Sequence, residues 1–435
     1  MAKVLFQATN RSTFRATLVG YLHEISQKHQ VVLFTEDVDS WTKKILLDRN
    51  LFPGLEKIIF FDPPFYGDIF RKNYQLSKMS KKLIKDYKPD IVITPEDIWP
   101  MSLYLLKFAK KKGIVTLALQ DGFRIAESKK LYLWSCLTNS YLRTPDFLPL
   151  PLRMLLVKMK KYFGHFLYYW ILPLTAGHMP FLGKTSFVFW DISPGLRDAD
   201  YSAVFSERDY DLSVKDGVRE EKLFVLGHPL EHALTRNFFE KAYFSANQHK
   251  EAEKTATIMW PGENLEFSAQ DYSLISEKQV LQSRLKVVQL IAEKLSDWRI
   301  IIKPHPAVKD VTAIEKLLDG ISGNISVVEP AEPADKYIGM SKLIIGVPLP
   351  STTLFTASLA HPRKIILSLN LHQAFLGSAY EKFSGIEYID KESEFSQTLE
   401  TIRDGTYNKK PSTSLHSRFS GINELLDYIY AKRIH

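Results

Sequence analysis

The sequence predicts an α/β protein of two doubly wound, Rossmann-like domains. Three observations carry that expectation: strand-like and helix-like runs alternate in two series, 435 residues suit two cores of about 200 residues each, and chemically loaded turns close strand-like runs in both halves. The first series places strands at Val4–Phe6, Val31–Phe34, Ile58–Phe61, Ile91–Thr94 and Val115–Leu119. Each is a short apolar run, as a strand covered on both faces requires. Helical spacing fills the intervals, as in Ser12–Lys28 and Asn73–Lys85. The second series runs through Thr257–Trp260, Arg299–Ile302, Ile325–Val328, Leu343–Gly346 and Lys364–Leu367. Such alternation implies parallel sheets, with ligands bound beyond the carboxyl ends of the strands. The expected organisation is one domain over 1–235 with an insert near 146–184, a second over 236–415, and a helix over 416–435 crossing back. The active site is expected in the cleft where the two domains face each other.

Composition narrows the function classes. The chain is 45% hydrophobic and 24% charged, a globular balance, with no low-complexity tract or fixed-period repeat. A lone cysteine, Cys136, excludes an internal disulfide framework and fits a reducing cytosol. The opening run Met1–Gln7 is too short for a signal-peptide core and reads as a first strand, closed by Asn10 and Arg11. A net charge of +8 suits nucleic acid, anionic lipid or an acidic substrate. The basic residues form no aromatic-interleaved RNA-binding signature, so no nucleic-acid partner is expected.

The insert breaks the alternation. Arg153, Lys158, Lys160 and Lys161 precede Tyr162, Phe163, Phe166, Tyr168, Tyr169 and Trp170, and no formally charged residue occurs from Tyr162 to Gly183. A transmembrane helix needs about 20 unbroken apolar residues, whereas Gly164, Pro173, Gly177 and Pro180 interrupt this stretch. Two readings stand: an interfacial element on the inner face of the cytoplasmic membrane, or a buried helical pair.

Four motifs suit chemistry. Gln120-Asp121-Gly122 ends the fifth strand-like run, where Asp121 serves as a general base or Asp-Gly is simply a turn. Lys303-Pro304-His305-Pro306 ends another, and its prolines fix the backbone around an imidazole suited to a phosphate oxygen. Ser351, Thr352 and Thr353 precede the helical run Leu354–Ala360, as a phosphate cradle, as plain N-capping, or as both. Leu226-Gly227-His228-Pro229 closes the first domain as a turn, with His228 at the cleft as the lesser reading. Asp198-Ala199-Asp200 and Asp209-Tyr210-Asp211 lack a second ligand set for Mg²⁺ or Mn²⁺. There is no zinc spacing, Walker loop or Gly-x-Gly-x-x-Gly, so neither a metal nor a cofactor is expected.

In this order, Asp121-Gly122, Lys303-Pro304-His305-Pro306 and Ser351-Thr352-Thr353 resemble the motif set of bacterial sialyltransferases, which have the two-Rossmann GT-B architecture. The resemblance extends to capsule and lipopolysaccharide sugar transferases, including Kdo transferases, and to glycerophosphotransferases of teichoic acid synthesis. Segment Val204–Leu234 looks more like that second group and like nucleotide-sugar 2-epimerases. The resemblance implies that Asp121 deprotonates the acceptor, that His305 supports the departing nucleotide, and that Lys303, Ser351, Thr352 and Thr353 hold its phosphate. It further implies that Asp335 or Glu332 recognises the nucleoside, with Gly122, Asn10, Arg11 and His228 on the acceptor or cleft side. Gln120 departs from the sialyltransferase pattern, which commonly has an acid there. The expectation is an inverting, metal-independent transferase moving an acidic sugar from a CMP donor to a glycan or lipid-linked glycan. The alternatives are a UDP-sugar transferase or nucleotide-sugar 2-epimerase on the same fold, or a non-catalytic membrane-peripheral scaffold.

Overall fold

The computed structural model describes residues 1–8, 18–36, 40–61, 69–95, 100–120, 199–215, 217–232, 252–260, 277–305, 310–332, 334–347, 363–369, 385–408 and 419–434, with single positions 235, 238, 308, 353, 354, 357, 358, 361 and 371. Two units emerge, one formed by Met1–Phe238 with Leu415–His435, the other by Phe239–Ser414.

In the first unit, strands β1 (Lys3–Ala8), β2 (Gln30–Glu36), β3 (Leu55–Phe61), β4 (Ile91–Thr94), β5 (Val115–Leu119), β6 (Tyr201–Val204) and β7 (Leu223–Val225) form one sheet in the order β3-β2-β1-β4-β5-β6-β7. Every pairing is parallel. The order reverses at β1, which lies between β2 and β4, so the topological switch point falls beside β1 and β4. Helices α1 (Val19–Ser26), α2 (Ser40–Leu46), α3 (Ile69–Tyr87), α4 (Pro100–Lys111) and α5 (Glu207–Lys215) supply crossovers. In α3 the buried Leu76, Ser80, Leu83 and Ile84 recur at helical spacing, leaving Lys78, Lys81, Lys82 and Lys85 to solvent. That stripe meets Tyr104, Leu105 and Phe108 of α4 above Leu5 and Val92. Removing each such side chain from water stabilises the fold by about 1.5–3 kcal/mol.

The second unit repeats the plan. Strands β8 (Ala252–Trp260), β9 (Arg299–Pro304), β10 (Asn324–Val327), β11 (Ser341–Gly346), β12 (Ile365–Leu369) and β13 (Glu387–Ile389) form a parallel sheet in the order β10-β9-β8-β11-β12-β13. Its switch point lies between β8 and β11. Helices α6 (Glu277–Lys294), α7 (Thr312–Leu318) and α8 (Ala334–Met340) connect these strands, and α9 (Glu392–Arg403) follows the last of them. Val287, Val288 and Ile291 of α6 share a core with Phe395, Leu399 and Ile402 of α9. Two parallel-sheet α/β units are thus present, as the alternation predicts. The short strands β6 and β13 and helix α9 are additions to the expected set.

A buried polar knot closes the first unit. All eight residues of α1 are buried, so its Tyr21, His23 and Glu24 need partners inside the protein. Glu24 Oε2 lies 3.0 Å from His232 Nδ1, and His232 Nε2 lies 2.9 Å from the Leu226 carbonyl oxygen. The Tyr21 hydroxyl donates to the Gly227 carbonyl at 2.9 Å, and His23 stacks on Phe238 with centroids 4.5 Å apart. Helix α10 (Ile422–Ile434) docks on α1, where the Asn423 backbone N–H donates to Glu24 Oε1 at 3.3 Å and its side chain donates to the Glu24 carbonyl at 2.7 Å. Gly421 makes this approach possible, since a Cβ there would stand 2.0 Å from Glu24 Oε1.

Gly421→Ala is therefore expected to push the Glu24 carboxylate off its partners and destabilise the first unit by about 1–3 kcal/mol, the range for overpacking a filled site. Urea unfolding followed by near-UV circular dichroism measures it. An unchanged midpoint would show that the knot yields without cost.

Candidate functional site

The sheet edge at the carboxyl ends of β8, β9 and β10 gathers the chemistry of the second unit. Strand β9 ends on Pro304, beside Trp260 at the end of β8. The His305 N–H donates to the Trp260 carbonyl at 2.8 Å, and the His305 carbonyl accepts from Val308 N–H at 2.9 Å. The backbone is thus pinned on both sides while the ring stays exposed. Partial burial, then the charge of Lys303, lowers the imidazole pKa. That shift favours the neutral imidazole, which offers one ring nitrogen as donor and the other as acceptor.

Lys303 differs from its expected role. Its side chain turns inward, and Nζ donates to the carbonyls of Pro304 at 2.5 Å and Pro330 at 3.0 Å. A buried ammonium must find acceptors, and two proline carbonyls stand within reach. Burial pulls its pKa down to about 8, against the opposing pull of Glu332. Lys303 is a clasp joining the end of β9 to the loop after β10, and it leaves direct phosphate contact to others.

Glu332, on that loop, accepts from Lys336 Nζ and the Tyr337 hydroxyl, both at 2.6 Å. Those two hydrogen bonds hold its carboxyl below the usual range, and Lys336 also lies over the Tyr337 ring at 5.1 Å. Engaged in this way, Glu332 shapes the first turn of α8, where half-buried Asp335 stands. Across the switch point, β11 ends on Gly346, where a Cβ would meet Leu354 Cδ1 at 2.4 Å. A glycine at this position lets the helical residues Thr353 and Leu354 close onto the strand end, with Thr353 half-buried.

The sequence reading missed Arg284. It lies on α6 with its guanidinium 5.3 Å from the Trp260 ring centroid and is only 8% exposed. The signal was present, because Arg284, Val287, Val288, Ile291 and Leu295 form one helical stripe with an arginine among apolar residues.

In the first unit, His228 needs correction as an acceptor-side residue. It is fully buried, 5.0 Å from the Phe205 ring, and Gly227 before it adopts φ +83° to make the turn. Burial drives its pKa down to about 3, with His232 adding to the effect. Gln120 is also buried, and its Oε1 accepts the Phe205 N–H at 3.0 Å, tying β5 to the end of β6. The Asp-x-Asp residues act locally: Asp200 Oδ2 accepts from the Thr116 N–H and hydroxyl, and Asp209 accepts from the Ser206 hydroxyl. Among the described residues no three His, Cys, Asp or Glu side chains gather as a metal site, and no helix is long and apolar enough to cross a membrane. Asn10, Arg11, Asp121, Gly122, Arg153, Lys158, Lys160, Lys161, Trp170, Ser351 and Thr352 lie outside the described residues.

Several solved structures share this fold over their whole length. A UDP-GlcNAc 2-epimerase from Methanocaldococcus jannaschii aligns at 13% identity and TM-score 0.59, covering 99% of this chain and 99% of that one. The Neisseria meningitidis UDP-GlcNAc 2-epimerase bound to UDP-GlcNAc aligns at 13% and 0.56, covering 99% and 100%. An S. aureus MnaA–UDP co-structure aligns at 11% and 0.55, covering 100% and 98%. The likeness shows a GT-B-like fold. No family model matches the chain, and no curated protein matches it in sequence.

Two of the buried histidines of the first unit, His228 and His232, predict opposite pH dependences. Both ring nitrogens of His232 face acceptors, so the imidazolium is favoured: although burial alone would lower its pKa, the Glu24 hydrogen bond and charge and the Leu226 carbonyl outweigh it and raise it. Its contribution is complete below about pH 6.5 and is lost as pH climbs through the raised folded value. His228, held neutral, works the other way: stability is lost as pH falls from about 6.5 toward about 3, because the unfolded chain takes up a proton that the folded chain refuses. Each slope approaches about 1.4 kcal/mol per pH unit. Urea midpoints between pH 5 and 9 should lose the acid-side slope in His228→Gln and the alkaline-side slope in His232→Gln. Identical slopes in wild type and variants would refute the assignments.

Proposed function

We propose that this chain is a nucleotide-sugar enzyme acting on a UDP-linked amino sugar, with inversion at C2 as its outcome: a UDP-sugar 2-epimerase. The observation that carries this reading is neutral His305, pinned at the second sheet's carboxyl edge, in a chain spanning the whole length of UDP-GlcNAc 2-epimerases. A UDP donor is preferred over the CMP-linked acidic sugar implied by motif order, because the full-length neighbours are UDP-GlcNAc enzymes.

The chemistry follows from the substrate class. A hexosamine C2–H is not acidic, so inversion there needs the leaving group at C1. The C1–O bond breaks with both electrons going to UDP, and the C2 proton passes to a base, leaving a C1=C2 double bond. UDP then re-adds at C1 as a proton returns to C2 on the opposite face, so atoms and electrons balance without an oxidant. Neutral His305 donates one N–H to a phosphate oxygen of the departing nucleotide. Thr353, with Ser351 and Thr352, supplies hydroxyls and backbone N–H groups to the same phosphates. Asp121 is assigned as the base. Lys303 contributes by tying the end of β9, next to His305, to the loop after β10.

Inverting transfer from the same donor shares the first bond cleavage. It is favoured by the basic and aromatic run from Arg153 to Trp170, which suits a lipid-linked glycan at the inner membrane face. An epimerase needs no such acceptor.

Incubating the protein with UDP-GlcNAc in D₂O separates the readings. Epimerisation should place deuterium at C2 and produce a second nucleotide-sugar by NMR. Release of UDP only when a glycan acceptor is added, with no C2 exchange, would replace epimerase by transferase. Neither outcome under any donor would overturn the enzyme reading.

His305→Ala is expected to lower kcat by about 10²–10³-fold, as for loss of a donor to developing negative charge. Its ring is exposed, so stability should stay within about 0.5 kcal/mol of wild type. Parallel losses of activity and thermal midpoint would mark a structural histidine.

Thermal-shift screening should single out UDP among UDP, CMP, GDP and CDP. Ligand at 100 times its Kd adds about 2.7 kcal/mol of stability. A larger shift with CMP would restore the CMP donor.

A further inference from the structure

The positive charge of this chain is gathered in one place. Residues 75–88 and 100–113, which span most of α3, all of α4 and the residues that end them, hold nine lysines and one acid, Asp86. This helix pair therefore carries +8, the net charge of the whole chain, and the rest is balanced. The two helices pack side by side over the sheet through Leu76, Leu83, Tyr104 and Phe108, so their outer surfaces share one face of the unit. On α3, Lys78, Lys81, Lys82 and Lys85 fill the stripe opposite the buried Leu76, Ser80 and Leu83. They are exposed, as are Lys111 and Lys112 at the end of α4, and none of the six forms an ion pair with a described residue. Lys110 differs, reaching Asp200 at 3.5 Å. Such crowding works against the fold. Lys78 and Lys82, like Lys81 and Lys85, stand four residues apart, where like charges on a helix repel. Lysines in a last turn offset the helix dipole, which accounts for Lys85, Lys110 and Lys111. It does not account for Lys78, Lys81 and Lys82. Lys88 adds a second cost. It ends α3 at φ +43°, a left-handed position that glycine fills most easily, as Gly113 does after α4 at φ +66°. Among the described residues, Lys88 is the only non-glycine with a positive φ.

We propose that the face formed by α3 and α4 docks on an anionic lipid surface. The negative charge of a leaflet would relieve the repulsion, each lysine adding to the attraction. Side-chain chemistry separates this partner from nucleic acid. The helix pair has no arginine to fork onto a base edge. Its rings are not offered for a base to stack on either, since Tyr104 and Phe108 are buried and Lys57 lies over Tyr87 at 5.5 Å. What remains is a broad face of point charges, suited to a surface read by its field alone. The lysine-rich ends of α3 and α4 come just before β4 and β5 begin, at the amino edge of the sheet. Docking there leaves free the carboxyl edge, where doubly wound sheets bind ligands. The proposal does not depend on which nucleotide-sugar reaction the chain carries out.

The test is co-sedimentation of the full chain with vesicles at about 0.1 M salt, where charges are felt over about 10 Å. Vesicles of phosphatidylcholine mixed with phosphatidylglycerol are compared with pure phosphatidylcholine. The wild type should bind only the anionic vesicles and be released as salt rises. The variant Lys78→Gln/Lys81→Gln/Lys82→Gln should weaken binding by at least about tenfold, since each lysine near such a surface is worth about fivefold. A control of equal charge, Lys254→Gln/Lys286→Gln/Lys294→Gln, removes lysines of the second unit that already pair with Asp297, Glu392 and Glu400, and should bind as the wild type does. Circular dichroism checks that both variants fold, and the thermal midpoint of the α3 variant should hold or rise as the repulsion goes. Equal binding by the wild type and the α3 variant would overturn the proposal and place the attachment elsewhere in the chain. Equal losses in both variants would also overturn it, because net charge alone would then decide. A wild type that ignores anionic vesicles sinks it outright, and binding of duplex DNA by that same protein would make the partner a polynucleotide.

Discussion

Parallel pairing is the constraint on which the rest of this structure depends. Among the described strands every neighbour in both sheets is parallel, so no two can be joined by a hairpin. Each must be reached by a crossover, and right-handed crossovers bring every strand of a sheet to its carboxyl end at the same edge. Residues far apart in sequence become neighbours there without any dedicated contact between them. Phe6 and Ile93 meet in this way in the first sheet, and Trp260 and Pro304 in the second. Burial on both faces also explains why the strands are apolar almost throughout, and why a polar residue among them is informative.

Two buried charges show how the fold keeps such residues. Glu24 and His232 are each about 4% exposed at their side chains, a setting in which desolvation is costly. The cost is offset because Leu226 and Asn423 supply further hydrogen bonds to the pair. Lys303 meets the same problem with peptide carbonyls as its hydrogen-bond partners. The two solutions differ in consequence. An ion pair fixes which elements meet, whereas a lone ammonium among carbonyls remains easier to neutralise, and its pKa near 8 reflects that.

Much of the fold was legible because both sheets are read from the same signal, apolar runs separated by helical spacing. Strands β1, β2, β4, β5 and β9 announce themselves through Val, Ile, Leu and Phe in sequence. Strand β13, only Glu387–Ile389, is too short and too mixed to stand out. The site was legible only in part. Lys303 and His305 belong to one motif, but Lys303 lies in β9 while His305 lies just past its end, and composition does not say which of the two turns inward. Leu226-Gly227-His228-Pro229 reads first as a turn, and the turn is there with Gly227 at positive φ, whereas the lesser reading of His228 at the cleft fails because its side chain is fully buried. Arg284 was passed over because a charge on a helix normally marks the solvated face.

The first unit is assembled from both ends of the chain. Its knot needs Glu24 from α1, His232 from the turn after β7, and Asn423 from α10, which is translated only after the whole of the second unit. During synthesis the second unit has all its strands in hand while Glu24 still waits for its last partners. The order of completion therefore runs against the order of translation: the domain begun first is sealed last. A chain that stalls or is clipped before Asn423 would carry a finished second unit beside a first unit whose buried carboxylate is only half satisfied, a natural target for quality-control proteases.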